Sequence, residues 1–316
     1  MKEELIKQIR KNYLSVTGQK NNRLQLPKHI GFNNLDDGKI LVSIKKEHVI
    51  ENMQNNNSAF ESWIFAIKRW SIHDSFVLKW ARPENTSNAH YQRFLYRVEK
   101  FNKLYNWFEI DQECSKYLSD LKVNSSDLLI LNIPKSKSKP PENLAGNPSK
   151  MTENKLEWYI HESDLFTRKY GLVKLKRQLP VGLFYEKVNS DNYIFTGQSS
   201  AIDLWGIDNN NAVNIFELKK FDNKPIGIIS ELFFYTMVIY DLIQKRFLLS
   251  KESNTIFPDR GDPGEIVNKS SIKSFFTANV LHPLLDSSLI DLMNEMGTTK
   301  VPITFDHIML EEGNNL

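Results

Sequence analysis

Apolar residues along the chain recur with two periods, and the change from one to the other marks out the elements. In MKEELIKQIRKNYL, Leu5, Ile6, Ile9, Tyr13 and Leu14 fall on one helical face, which predicts an amphipathic helix at the start. SAFESWIFAIKRW and NAHYQRFLYRVEKFNKLY repeat that spacing, whereas the short apolar runs KILVSI (39–44), FVLKWA (76–81) and DLLILNI (127–133) read as strands. Residues 1–133 therefore form an expected α+β domain. PKSKSKPPENLAGNPSK then brings four prolines and four lysines with almost nothing to bury, so residues 134–152 read as a linker. Beyond it the pattern predicts a helix at 153–166, strands at 172–176, 182–188, 200–207 and 212–219, and an apolar helix at 225–243. FFTANVLHPLLDSSLIDLMNEMG reads as a further helix and VPITFDHIML as a closing strand, so residues 153–316 form an expected α/β domain with a mixed central sheet flanked by helices.

Composition narrows the function classes. Hydrophobic residues make up 41% of the 316 and charged residues 25%, as in soluble globular proteins, and the length suits two domains. The most apolar stretch, IGIISELFFYTMVIYDLI, carries Glu231 and Asp241 and falls short of the roughly 20 apolar residues a membrane span needs, so a buried core helix is expected and no membrane partner. The first helix lacks the apolar centre of an export signal. Cys114 is the only cysteine, which excludes an internal disulfide and a zinc site built on paired cysteines; a reducing cytoplasm fits. No GxSxG, glycine-rich phosphate loop or HExxH is present. The net charge of +3 hides an asymmetry: residues 1–133 carry 20 Lys+Arg against 15 Asp+Glu, and residues 153–316 carry 17 against 22. Aromatics interleave with bases in the first half (Lys68-Arg69-Trp70, Lys79-Trp80, Arg82, Tyr91, Arg93, Tyr96, Arg97), an arrangement able to stack bases, although helical spacing favours core positions for the rings.

The candidate chemistry lies in GQSSAIDLWGIDNNNAVNIFELKK, residues 197–220, where two apolar runs flank the turn-forming Asp208-Asn209-Asn210-Asn211. In the second strand of this hairpin, alternation puts Glu217 and Lys219 on one face and Phe216 and Leu218 on the other. A loop of three or five residues brings Asp203 onto the Glu217 face, and one of four does not; the odd loop is the expectation. Two carboxylates would then converge on a divalent cation with an ammonium beside them. Mg²⁺ or Mn²⁺ suits such oxygen donors, with Asp203, Glu217 and the main-chain carbonyl of Leu218 as the ligands. The competing reading is an exposed Glu217–Lys219 ion pair without chemistry.

Asp203 followed, after thirteen residues, by Glu217-Leu218-Lys219 resembles the D…(D/E)xK signature of the PD-(D/E)XK, or restriction-endonuclease-like, nuclease superfamily, over residues 153 to about 245. The resemblance implies a Mg²⁺-dependent phosphodiesterase acting on nucleic acid, with DNA the expected partner, and leaves room for a homo-oligomer. It implies Asp203, Glu217 and Lys219 as catalytic core, and Glu157 on the first helix as an acid completing the metal site. Glu231 and Tyr235 have the four-residue spacing of the Gln and Tyr on the later helix of some members, with Glu in place of Gln, and Ile202 stands where the signature has proline. Arg177 and Gln178, just before Pro180, are expected to line the cleft, Gln178 on the substrate, while His161 reads as a solvated helix residue. The acidic second domain would draw its phosphate affinity from the basic first half or the linker. The alternative is a catalytically inactive nuclease-fold module that binds DNA or protein.

Overall fold

Where apolar residues alternate, the chain forms strands, and where they recur every three to four residues it forms helices. The computed structural model describes residues 2–18, 24–35, 37–70, 75–124, 128–133, 139–142, 144, 151–195, 200–219, 226–250, 257–278, 281–282 and 284–310. Most of the expected linker lies outside these residues. The fold is mixed α and β, with mixed sheets flanked by helices, and the chain divides into two compact units: Met1–Asn124 with Pro225–Glu231 and Leu284–Thr298, and Ser125–Lys224 with Leu232–Pro283 and Thr299–Leu316.

In the first unit, α1 (Lys2–Thr17) precedes β1 (Ile30–Asn34), β2 (Ile40–Ile44), α2 (Phe60–Trp70), β3 (Phe76–Trp80), α3 (Ala89–Leu104), β4 (Phe108–Ile110) and α4 (Gln112–Ser115). The strands form one sheet in chain order, β1 antiparallel to β2 and the rest parallel. The Asn88 side chain starts α3 by accepting from the amides of His90 and Tyr91. Trp70, Trp80, Tyr91, Phe94 and Tyr96 are buried, so the rings interleaved with bases are core and offer no face to a stacked base. Arg97 is buried as well, paired with Glu61 at 2.8 Å; the Ser230 hydroxyl donates to the same Glu61 oxygen, Oε2, at 2.8 Å.

The second unit holds β5 (Leu129–Leu131), α5 (Glu153–His161), α6 (Asp164–Lys169), β6 (Leu172–Pro180), β7 (Leu183–Tyr185), β8 (Ala201–Asp208) and β9 (Ala212–Lys219). After them come α7 (Ile228–Ile243), whose first turn counts with the first unit, β10 (Leu248–Leu249), β11 (Ser271–Ala278), α8 (Ser287–Asn294, also of the first unit) and β12 (Ile303–Met309). The main sheet has the order β12-β11-β9-β8-β6; β6, β8 and β9 form an antiparallel meander, and β11 and β12 run parallel to β9. A small sheet, β10-β5-β7, lies apart from it in hydrogen bonding.

Four readings of the sequence need correction. The helix expected over 153–166 is broken at Glu162–Ser163, because the Ser163 hydroxyl accepts from the Phe166 amide and caps a second helix. FFTA, read as the start of a helix, is the end of β11 and supplies the parallel partner of the fully buried β9; pairing outweighs local pattern there. The strand in DLLILNI, given to the first domain, pairs instead with β7 and β10 in the second unit. The division into units falls between Asn124 and Ser125, and segments of the C-terminal half return to the first unit.

The sheet is covered on both faces. Leu204, Phe216 and Leu218 pack with Leu156, Ile160 and Phe166 of α5 and α6. On the other side Thr236 of α7 shares a 2.7 Å hydrogen bond with Ser274, the residue opposite Ile215. The apolar helix is buried as expected, and among the described residues no helix is long and apolar enough to cross a membrane.

The β8–β9 loop sets the register. Asn209, Asn210 and Asn211 form it, since Ile207 pairs with Val213, and this is the odd loop the sequence called for. Asp208 accepts from the amides of Asn210 and Ala212, both at 2.9 Å, and pairs with Lys273 at 2.7 Å, while Asn211 takes a left-handed φ of 63°. Asp208→Ala leaves two amides without their acceptor and is expected to destabilise the protein by about 1–3 kcal/mol in urea unfolding. Asp208→Asn, which keeps the acceptor, should lose less.

Candidate active site

Hairpin register alone brings the three expected core residues together. Leu204 lies opposite Phe216, so Asp203 is the next residue along and stands across from Glu217. Continuing the β6–β8 register, Gln178 lies on the other side of Asp203. Asp203 is half-buried, and its Oδ2 accepts from the Leu218 amide at 2.9 Å, which ties the carboxylate to the β9 backbone between Glu217 and Lys219.

Glu217 and Lys219 project from the face opposite Phe216 and Leu218, as alternation requires. They are 2% and 5% exposed, and Lys219 Nζ lies 2.5 Å from Glu217 Oε1, so the reading of an exposed pair fails. Lys219 Nζ also lies 3.4 Å from Glu153 Oε1, on the first turn of α5. The helix acid that reaches the lysine is thus Glu153. Sequence reasoning did not single it out; its signal was its position one helical turn before Glu157, on the same face.

Glu157 has other partners. Its Oε1 lies 2.8 Å from Arg177 Nη2, and its Oε2 accepts from Gln178 Nε2 at 2.8 Å. Arg177 is 1% exposed, stacks over the Trp158 ring at 3.9 Å, and donates to Asn154 at 3.3 Å. Gln178 has φ 54°, in the left-handed region, and this departure from the strand lets two successive side chains, Arg177 and Gln178, meet the same acid on α5. Its carbonyl accepts from Arg260 Nη1 at 3.2 Å. Burial pushes the Glu157 carboxyl up to about 7 despite Arg177 and Gln178, and lowers Arg177 despite Glu157. His161 is also lowered, by burial first, and touches Glu162 at 2.9 Å.

Tyr235 and Glu231 are buried. The Tyr235 hydroxyl lies 3.4 Å from Ser200 Oγ in the second unit, whereas Glu231 counts with the first unit and accepts from Gln54 Nε2. Asp203, Glu217 and Lys219 are therefore brought together with Glu153, and Glu157 is joined to Arg177 and Gln178. Among the described residues no group of three or more His, Cys, Asp or Glu side chains is arranged to hold a metal ion. Asp203 and Glu217 form a set of two carboxylates, and with the Leu218 carbonyl their donor chemistry fits a hard divalent cation that keeps several of its waters. Compared with protein-family models, curated proteins and solved structures, the chain matches none.

Glu157 makes stability depend on pH with a definite sign. The folded protein binds this proton more tightly than the unfolded chain, so its contribution is complete below about 4.5, declines as pH rises, and levels off above about 7. The full change is about 3 kcal/mol. Glu157→Gln should flatten that part of the stability profile, measured by chemical unfolding at a series of pH values.

Proposed function

We propose that the chain is a metal-dependent nuclease of the PD-(D/E)XK type that hydrolyses DNA phosphodiester bonds, with Asp203, Glu217 and Lys219 as its catalytic core. The observation that carries the reading is the burial of Glu217 and Lys219 on an otherwise largely apolar strand, beside an aspartate held by the Leu218 amide. Taking such a pair out of water costs several kcal/mol per ion before attraction offsets it, and apolar residues of similar volume would hold the sheet at least as well. The order of helices, antiparallel meander, helix and parallel strand supports the same reading, being similar to that superfamily's core.

Asp203 and Glu217, with the Leu218 carbonyl, would hold Mg²⁺ or Mn²⁺, which when bound supplies Lewis-acid polarisation of the phosphodiester. Lys219, held between Glu217 and Glu153, orients the attacking water and offsets charge developing on a phosphoryl oxygen. Glu157 acts through Arg177 and Gln178 and keeps β6 in place beside Asp203. The contact between Lys219 and Glu217 favours a second reading, in which the pair closes on itself and the chain is an inactive nuclease-fold module that binds DNA or protein.

Cleavage assays separate the two. With Mg²⁺ or Mn²⁺ the protein should cut plasmid, linear or single-stranded DNA, with RNA run in parallel, and a chelator should stop it. Asp203→Asn and Lys219→Met should each slow cutting by about 100-fold or more. Wild-type rates from Asp203→Asn would remove the nuclease reading, and intact substrates under every metal would favour the inactive module.

A further inference from the structure

One face of the first unit's sheet is buried, and the other is partly open among the described residues. Ile30, Phe32, Val42, Ile44, Leu78 and Trp80 are buried on the covered side. Gly31, Asn33, Ser43, Val77 and Lys79 alternate with them and are only half-buried. Over the open face, where the parallel strands β2 and β3 end, lies a groove of about 630 Å³. Its floor includes Gly31 and Ser43, which stand opposite each other; a Cβ on Gly31 would meet the Ser43 hydroxyl, so glycine keeps the floor low.

The rim is cationic. Lys28, Lys45, Lys46 and Lys79 line the groove against a single acid, Glu47. Lys46 is paired with Glu84 at 3.0 Å, and Lys79 with Glu113 at 3.2 Å and Asp111 at 3.9 Å. These pairs are largely exposed and worth little, so an incoming anion can replace them. Lys28 and Lys45 are exposed and make no ion pair among the described residues. Lys28 just precedes β1, Lys45 and Lys46 just follow β2, and Lys79 lies near the end of β3 opposite Ser43, so the lysines gather at one end of three neighbouring strands. Strands lie about 4.8 Å apart, so the positive charge extends roughly 10 Å across three of them.

We propose that this open face binds the phosphodiester backbone of DNA. The inference rests on the proposed nuclease reading for its choice of polyanion. A duplex carries one negative charge per roughly 1.7 Å of axis, so a cationic strip of this length meets several phosphates, whereas a small anion would need donors converging on one point. Point-charge lysines around a groove whose tryptophan, Trp80, is buried fit backbone binding in preference to base stacking. The buried arginines and aromatics of α3 serve the core instead.

The test is binding of a fluorescent DNA duplex to the full chain in chelator, where no cleavage competes, across a series of salt concentrations. Lys28→Gln/Lys45→Gln/Lys46→Gln should weaken binding at least 10-fold near 0.1 M salt and lower the slope of log K against log salt by about 2 to 3. Lys7→Gln/Arg10→Gln/Lys11→Gln removes the same charge from exposed positions on α1 and should leave the slope near wild type. Equal binding by the two triple variants, or no binding by the wild type, overturns the proposal. If the groove variant binds normally while Asp203→Asn abolishes cutting, the nuclease reading stands and this one falls. If nothing is cut but the groove variant loses binding, the reverse holds.

Discussion

The second unit depends on the register of one hairpin. With three residues in the β8–β9 loop, Asp203, Glu217 and Lys219 share one face, and Leu204, Phe216 and Leu218 share the other, packed against α5 and α6. A slip by one residue would carry the acids into that apolar cluster and Phe216 and Leu218 out of it. Asp208 opposes the slip, since its carboxylate gathers two loop amides and the Lys273 ammonium at the turn. Burial raises the pKa of Asp208, but these partners more than offset it and hold the carboxyl below its usual value. The turn is therefore fixed by a charged group that remains ionised. Electrostatics at the loop and packing on the sheet thus select the same pairing.

What could be read from the sequence followed from how local the determinant was. The hairpin was legible because alternation and turn residues lie within one short stretch, and Glu217 and Lys219 emerged on one face for that reason. β11 was not, because its partner β9 ends more than fifty residues earlier and buried parallel strands carry little alternation. The choice between Glu153 and Glu157 was beyond sequence reasoning for a different reason. Both acids lie on one side of α5, and what separates them is the left-handed Gln178, which swings two side chains of β6 toward Glu157. Nothing in RQLP announces that conformation. Glu153 is left to approach Lys219.

The charge asymmetry between the halves was also legible, but its carriers were not. Sequence proximity left a nucleic-acid surface open for Arg93, Tyr96 and Arg97 beside the favoured core reading of the rings, and all three are buried. Arg97 pairs with Glu61 and lies over Phe60 and Phe94. Exposed lysines such as Lys28, Lys45 and Lys46 stand instead just beyond strand ends, where turns interrupt the apolar pattern. The buried Arg93 and Arg97 and these exposed lysines accord with their hydration: the guanidinium is weakly hydrated and stacks, and the ammonium holds its water.

That distinction also separates two buried ion pairs of the second unit, Glu157–Arg177 and Glu217–Lys219. Arg177 is a planar fork lying on Trp158, with Glu157 and Asn154 as hydrogen-bonding neighbours, so rotating it would break several contacts at once. Such a group suits a fixed support. Lys219 ends a strand, carries its charge at the tip of a flexible stem, and meets two acids from different elements, Glu217 beside it and Glu153 on the helix. An ammonium placed this way can turn from one carboxylate to the other without disturbing the backbone, and in doing so it changes how much negative charge Glu217 presents to Asp203. A fixed arginine in that place would hold Glu217 closed. A lysine on a flexible stem leaves the two acids able to act together, and for this reason the proposed chemistry is placed on the Lys219 cluster and the support on Arg177.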